Sequence, residues 1–175
     1  MTAAEVYELA TQGGATDFAR LIAACESYGP YCLIGGFAVN CYVEPVYTLD
    51  ADVVVIAENL PKLTASLLDQ GFEIEEHLYS VNARPPGSQL RIQFSTGDRC
   101  QAFPARSVQA EVLGVVARIA SVSDVVQGKL WAYSDPRRRL SKRKKDELDL
   151  IRLAEKYPEL KASYPSELRE QIERG

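Results

Sequence analysis

The sequence has few of the residues that metal sites and nucleophilic hydrolases need. Its 175 residues include a single histidine, His77, and four cysteines that form no Cys-x-x-Cys pair. A zinc site with the usual ligand spacing is therefore hard to build. A Ser-His-Asp or Cys-His hydrolase would have to use His77, which lies in the strand-like segment FEIEEHLYS. We interpret the cysteines as free thiols in a reducing compartment.

The chain also lacks long apolar runs. None approaches the roughly 20 residues that a membrane-spanning helix needs. The N-terminal MTAAEVYELATQGG has neither the basic nor the apolar region of a signal peptide. Hydrophobic residues make up 46% of the chain and charged residues 25%, which is typical of globular proteins. We therefore expect a soluble cytoplasmic protein that has no contact with membranes.

Charge is distributed unevenly along the chain, whose net charge is −4. The segment Arg137–Lys145, RRRLSKRKK, contains seven of the 20 basic residues and none of the 24 acidic ones. Two interpretations stay open. The segment is either a solvated helix entrance or a contact for phosphate groups, for example those of tRNA or another RNA.

Apolar patterns predict an α+β fold, a mixed β-sheet flanked by helices with a helical C-terminal part. Continuous or alternating apolar residues predict strands over 31–34, 50–57, 72–80 and 115–120, and a hairpin of 90–94 with 99–103. Helical periodicity predicts helices over 18–28, 37–43, 60–68, 125–133 and 142–156, and a short one after Pro165. We expect residues 1–120 to form the core and residues 121–175 to pack on it as part of one unit.

The most informative segment is Leu33–Val55, LIGGFAVNCYVEPVYTLDADVVV. Asp50 and Asp52 are two residues apart on a predicted strand, so their carboxylates point to one face. Such a pair suits Mg²⁺ or Mn²⁺ when substrate phosphates complete the coordination shell. Gly35 and Gly36 let the backbone approach a phosphate at the start of the next helix. Together these features are the equipment for nucleotidyl transfer.

On these residues the sequence resembles the nucleotidyltransferase superfamily, whose fold is that of DNA polymerase β. Within it, the sequence is most similar to the abortive-infection branch of type IV toxin–antitoxin toxins. The residues that match the first motif of this branch are Gly35, Gly36, Thr48, Asp50 and Asp52, whereas Val46 stands where the branch has arginine. The residues that match its second motif are Asp124, Lys129, Lys145, Asp146 and Asp149. The resemblance covers about residues 30 to 155.

The resemblance implies a role for each matching side chain. Asp50 and Asp52 would be catalytic and would bind Mg²⁺ or Mn²⁺, and the nucleotide-binding residues would be Gly35, Gly36, Thr48 and Lys129. The reaction would move an NMP from an NTP to a hydroxyl of RNA, protein or a small molecule. A cognate antitoxin would be the partner of such a toxin. From the residues alone, Lys129 is equally well explained as a surface lysine whose stem packs on the helix.

A third acidic residue, frequent in the superfamily, is missing from its usual strand. Gln93 stands there, and an amide cannot accept the proton of an acceptor hydroxyl. Asp98, or Asp146 on the resemblance, would have to replace it as the third catalytic carboxylate. If neither does, the chain is a catalytically silent nucleotide-binding or RNA-binding domain of the same fold. A structural subunit of an operon-encoded complex is a further alternative.

Overall fold

A seven-stranded mixed sheet forms the centre of the computed structural model, which describes residues 1–175. Its strands are β1 (Tyr31–Ile34), β2 (Asp50–Val55), β3 (Glu73–Glu76), β4 (Ser80–Arg84), β5 (Arg91–Ser95), β6 (Val108–Val112) and β7 (Val115–Ile119). They lie in the order β3-β4-β5-β2-β1-β7-β6. β2 pairs parallel with β5 and β1 parallel with β7, and all other pairs are antiparallel.

Seven α-helices accompany the sheet. They are α1 (Ala3–Thr11), α2 (Gly14–Tyr28), α3 (Gly35–Tyr42), α4 (Leu60–Asp69), α5 (Val122–Ser134), α6 (Leu140–Lys156) and α7 (Ser166–Arg174). Ser121 caps α5 because its hydroxyl accepts the backbone N–H of Asp124 at 3.2 Å. α5 packs against both α6 and α3, which brings the C-terminal helices to the end of β2 where Asp50 lies. The α+β class predicted from the sequence is confirmed.

The structure corrects two strand predictions. Residues 72–80 do not form one strand, because β3 ends at Glu76 and β4 begins at Ser80. The hairpin of 90–94 with 99–103 does not form, because β5 is already paired with β4 on one side and β2 on the other. Residues 98–100 and 104–106 form 3₁₀ turns instead. The sequence prediction also missed α1 and the edge strand β6.

One continuous hydrophobic core joins the sheet to the helices. Phe18 of α2, Leu33 of β1, Phe94 of β5 and Leu150 of α6 are all completely buried in it. Ordinary burial of such side chains stabilises a fold by about 1.5–3 kcal/mol each. None of the helices combines the length with the apolar content needed to span a bilayer.

Candidate functional site

The Gly35-Gly36 turn brings the backbone directly against the Asp52 carboxylate. β1 ends at Ile34, α3 begins at Gly35, and Ile34 is paired with Asp52 in the sheet. Gly35 has φ +65°, and a Cβ there would overlap Asp52 Oδ2. A Cβ on Gly36 would lie 3.1 Å from Thr48 Oγ1. The glycines are therefore required locally by the close packing of this turn on Asp52 and Thr48.

A polar cleft of about 270 Å³ opens beside Asp50 and Asp52. Its sheet wall consists of Asn82, Arg84, Arg91 and Gln93 from β4 and β5. Its helix wall consists of Lys129, Arg138, Lys142, Lys145 and Asp146 from α5, α6 and the turn between them. Six cationic side chains thus face three carboxylates in the cleft, which favours an anionic ligand.

Asp50 is held between the two walls. Arg91 Nε lies 2.7 Å from Asp50 Oδ1, and Lys142 Nζ lies 3.0 Å from Asp50 Oδ2. Partial burial acts to raise the pKa of Asp50, but the hydrogen bonds and charges of Lys142 and Arg91 outweigh it and lower that pKa. Asp50 is therefore ionised and bridges the sheet wall to the helix wall.

Asp52 has no ion-pair partner, although it lies beside Asp50 on the same face of β2. Burial raises the pKa of Asp52 and the charge of Asp50 adds to this, against the attraction of Lys129. The two carboxylates supply the hard oxygen donors that Mg²⁺ and Mn²⁺ prefer. No cluster of three or more His, Cys, Asp or Glu side chains could complete a metal site. The pair therefore fits a cation whose other ligands come from a substrate or water.

Lys129 is buried and carries a charge that two carboxylates balance. Its Nζ lies 2.9 Å from Asp146 Oδ1 and 2.7 Å from Asp149 Oδ2, and both carboxylates are 2% exposed. Burial alone would lower the pKa of this amine, but Asp149 and Asp146 together raise it. Lys129 lines the cleft, as expected for a nucleotide contact, yet its charge is already engaged by the protein.

Asp146 faces the cleft with both of its oxygens bound. Oδ1 is held by Lys129, and Oδ2 accepts Arg138 Nε at 2.6 Å. Each oxygen of Asp146 is thus engaged by a cationic side chain. Its role as the third catalytic acid stays a prediction, and it would require Arg138 to release Oδ2.

The structure also locates the other side chains considered for the third acid. Gln93 is directly opposite Asp52 on the neighbouring parallel strand, so an amide stands beside the carboxylate pair. Asp98 lies in a 3₁₀ turn and does not line the cleft, so the idea that it substitutes for the missing acid is wrong. Asp124 is bound bidentately by Arg106 at 2.9 Å and does not line the cleft either.

The basic segment Arg137–Lys145 divides between the cleft and the surface. Arg138, Lys142 and Lys145 line the cleft, whereas Arg137 and Arg139 are exposed. The interpretation as a solvated helix entrance is therefore wrong for Arg138, Lys142 and Lys145. Asp146 holds Arg138 and Asp50 holds Lys142 at the cleft, whereas Lys145 lines it without an ion pair.

Sequence reasoning missed the sheet wall. None of the predicted strands includes Arg84, but it ends β4, and Arg91 is not among the predicted site residues. Arg91 could have been found, because it precedes Gln93 by two residues on a predicted strand and so shares its face. Arg84 could not, since the Pro-Pro-Gly sequence after it suggested that the strand had already ended.

Comparison with solved structures places this arrangement in a known fold. The complex of ANT(2'')-Ia with adenylyl-2''-tobramycin aligns with a TM-score of 0.62 over 91% of this chain and 97% of that chain, at 16% identity. JHP933 from Helicobacter pylori aligns with a TM-score of 0.54 over 83% and 67%, at 19% identity. A nucleotidyltransferase-like antigenic protein from Paracoccidioides brasiliensis gives a TM-score of 0.54 over 81% and 75%, at 21% identity.

The chain has the nucleotidyltransferase fold. No protein-family profile matches the sequence, and no curated protein sequence does so either. The resemblance to the nucleotidyltransferase superfamily is thus confirmed at the level of fold. These matches do not confirm the toxin branch within it.

Replacing Asp50 by asparagine should lower thermal stability at neutral pH, whereas replacing Asp52 by asparagine should not. Asp50→Asn leaves Arg91 and Lys142 without their carboxylate, so the melting temperature should fall. Because the pKa of Asp50 is lowered, its stabilising effect is present above the pKa of the unfolded chain and is lost as pH falls through the folded pKa. Asp52→Asn removes a charge that burial disfavours, so the melting temperature should stay the same or rise.

Scanning fluorimetry at stepwise lower pH tests both parts of this prediction. The destabilising effect of the Asp52 charge should disappear as pH falls through its raised folded pKa, so the Asp52→Asn variant and the unmodified protein should converge. Equal losses of melting temperature in the two variants would contradict the assigned electrostatics.

Lys129→Met should cost about 3–5 kcal/mol of unfolding free energy, because it leaves Asp149 and Asp146 buried with one cation fewer. Lys145→Met is the matched control, since Lys145 lines the same cleft and forms no ion pair, and it should leave stability within about 0.5 kcal/mol. Urea unfolding measures both. Similar small losses in the two variants would show that Lys129 is not a structural charge.

Proposed function

We propose that the protein is a metal-dependent nucleotidyltransferase that moves an NMP from an NTP to a hydroxyl acceptor. The observation that carries the proposal is the Asp50–Asp52 pair, set against the Gly35-Gly36 turn at the mouth of a cationic cleft. The shared fold with ANT(2'')-Ia supports it, because that structure holds an adenylylated product. The shared fold does not identify the acceptor of this chain.

The reaction requires the NTP and the acceptor hydroxyl to meet beside the carboxylate pair. A bond forms between the acceptor oxygen and the α-phosphorus, and the bond from the α-phosphorus to the bridging oxygen breaks. Pyrophosphate leaves with that electron pair, and the proton of the hydroxyl passes to a base or to water. A bound Mg²⁺ or Mn²⁺ would be held by Asp50 and Asp52 and would neutralise phosphate charge.

The helix wall is suited to the triphosphate. Lys142 and Lys145 are half-buried cations on α6, and Lys145 forms no ion pair within the protein. A compact ammonium is a common phosphate contact. We propose that Lys129 supports this wall by anchoring Asp146, and that Gly36 and Thr48 border the phosphate site. On this proposal residues 121–175 act with residues 1–120 as one functional unit.

A nucleotide-binding domain without transfer activity is the second candidate. Gln93 opposite Asp52 is the observation that favours it, because this position provides no base. The lack of an unengaged third carboxylate in the cleft points the same way, since Asp146 is bound by Lys129 and Arg138. The two candidates agree on NTP binding and differ only in whether a product forms.

Calorimetry should show that at least one NTP binds to the protein. No NTP should bind unless Mg²⁺ or Mn²⁺ is present. Asp50→Asn and Asp52→Asn should each abolish metal-dependent NTP binding, because each removes one of the two metal-binding carboxylates. Asp69→Asn, an exposed acid at the end of α4, is the control and should bind as the unmodified protein does. An unmodified protein that binds no NTP with either metal would contradict both candidates.

We also propose that the protein acts as the toxin of a toxin–antitoxin pair, a proposal that rests on the motif residues in the sequence. Induced expression in a bacterial host should then arrest growth, and Asp50→Asn should relieve the arrest at equal protein level. Growth that is unaffected by the unmodified protein would refute the toxin proposal. It would leave the enzymatic one intact.

A further inference from the structure

Two rows of polar side chains cross the sheet at the cleft. The strands β4, β5 and β2 are neighbours, and their register aligns every second residue on one face. One row is formed by the paired residues Asn82, Gln93 and Asp52. The other row, nearer the strand ends, contains the pair Arg91 and Asp50, and Arg84, which follows Ala83, the last residue of β4 that pairs with β5. All six side chains line the cleft. The sheet wall thus offers two guanidinium groups and two amides, and no carboxylate beyond the Asp50–Asp52 pair.

Arg84 has no partner that accounts for its position. It is exposed at the end of β4 and makes no side-chain hydrogen bond or ion pair. Glu73 of β3 stands opposite it in the sheet, but the two side chains do not form an ion pair. On its other side Arg84 follows the Ala83–Ile92 pair, and the same register continued by one residue brings it next to Arg91. Like charges opposed across strands are unfavourable. A bound anion between Arg84 and Arg91 would remove that repulsion.

Binding of a metal at Asp50 would make this repulsion stronger. One Asp50 oxygen is bonded to the sheet wall through Arg91, and the other to the helix wall through Lys142. A divalent cation that takes these oxygens weakens both ion pairs and leaves one additional unneutralised cation on each wall. The triphosphate would neutralise the additional cation on the helix wall. A second anion is needed for the sheet wall.

Resting on the proposed function, we propose that the acceptor carries a phosphate group, which Arg84 and Arg91 bind on the sheet wall. Two adjacent guanidinium groups match phosphate oxygens, and the amides of Asn82 and Gln93 add neutral hydrogen-bond donors. This acceptor class differs from tobramycin, whose adenylylated form ANT(2'')-Ia binds. Tobramycin carries several ammonium groups, which Arg84 and Arg91 would repel.

The test measures acceptor binding separately from NTP binding. The protein is saturated with Mg²⁺ and the α,β-methylene analogue of the NTP that calorimetry selects, which fills the triphosphate site and cannot transfer. Three probes are then titrated: ribose 5-phosphate, a single-stranded RNA dodecamer without terminal phosphate, and tobramycin. Ribose 5-phosphate reports a terminal phosphate on a small acceptor, and the RNA reports backbone phosphates.

At least one phosphate probe should bind, and tobramycin should not. Arg84→Gln should weaken that probe at least about tenfold, because a charge-assisted contact is lost, and should change affinity for the NTP analogue less than about twofold. The affinity of Arg84→Lys for the phosphate probe should lie between those of the unmodified protein and Arg84→Gln, because lysine keeps the charge without the planar guanidinium fork. Arg174→Gln, which removes an exposed arginine at the end of α7, outside the cleft and outside the basic segment Arg137–Lys145, should bind as the unmodified protein does.

Three results would overturn the proposal. Tobramycin could bind more tightly than both phosphate probes, Arg84→Gln could leave phosphate affinity unchanged, or Arg84→Gln could weaken the NTP analogue as much as the phosphate probe. None of these is a failure of the proposed function, which fails if the unmodified protein binds no Mg²⁺-NTP or binds it without transferring a nucleotidyl group. Circular dichroism of the Arg84 variants confirms that the exposed substitution preserves the fold.

Discussion

The Asp50 carboxylate is the one side chain that bonds to both walls of the cleft. Arg91 reaches it from the sheet and Lys142 from α6, at 2.7 and 3.0 Å. The C-terminal helices are joined to the site through this bridge as well as through the hydrophobic core. Because the same oxygens are the natural ligands of a divalent cation, binding of the metal and the charge of both walls are coupled. Affinity for the metal alone should therefore be weak, and phosphates that accept the displaced cations should strengthen it.

Burying charged side chains at the site lowers the stability of the fold, and ion pairs with neighbouring side chains offset this loss. Burial raises the pKa of Asp52 and so disfavours its charge, and Lys129 is buried with Asp146 and Asp149 around it. Arg152 completes this cluster by donating to Asp149 Oδ1 at 2.9 Å and to the backbone oxygen of Glu44. Removing one member of such a cluster is costly, because the remaining charges stay buried. The cluster fixes the helix wall, so that Lys142 and Lys145 face the carboxylate pair.

Much of the fold and the centre of the site could be predicted from short-range patterns. The run DADVVV fixes β2 and puts Asp50 and Asp52 on one face, and Gly35-Gly36 marks the turn beside them. The partners of Asp50 could not be predicted this way, since Arg91 and Lys142 are 41 and 92 residues away in sequence. The strand order that brings β5 beside β2 decides the first contact, and packing of α6 decides the second. The strand β4 was missed for a local reason, because a turn at residues 77–79 interrupts an alternation that looked continuous in the sequence.

A label-transfer assay measures directly whether the protein moves an NMP from an NTP to an acceptor. The protein is incubated with Mg²⁺ and each α-³²P-labelled NTP in a total cell extract, and the RNA, protein and small-molecule fractions are separated. Label should enter one fraction with the unmodified protein and not with Asp50→Asn. Label that stays in NTP, although calorimetry shows the protein to bind that NTP with Mg²⁺, would contradict transfer and leave a nucleotide-binding domain with Gln93 in place of a base.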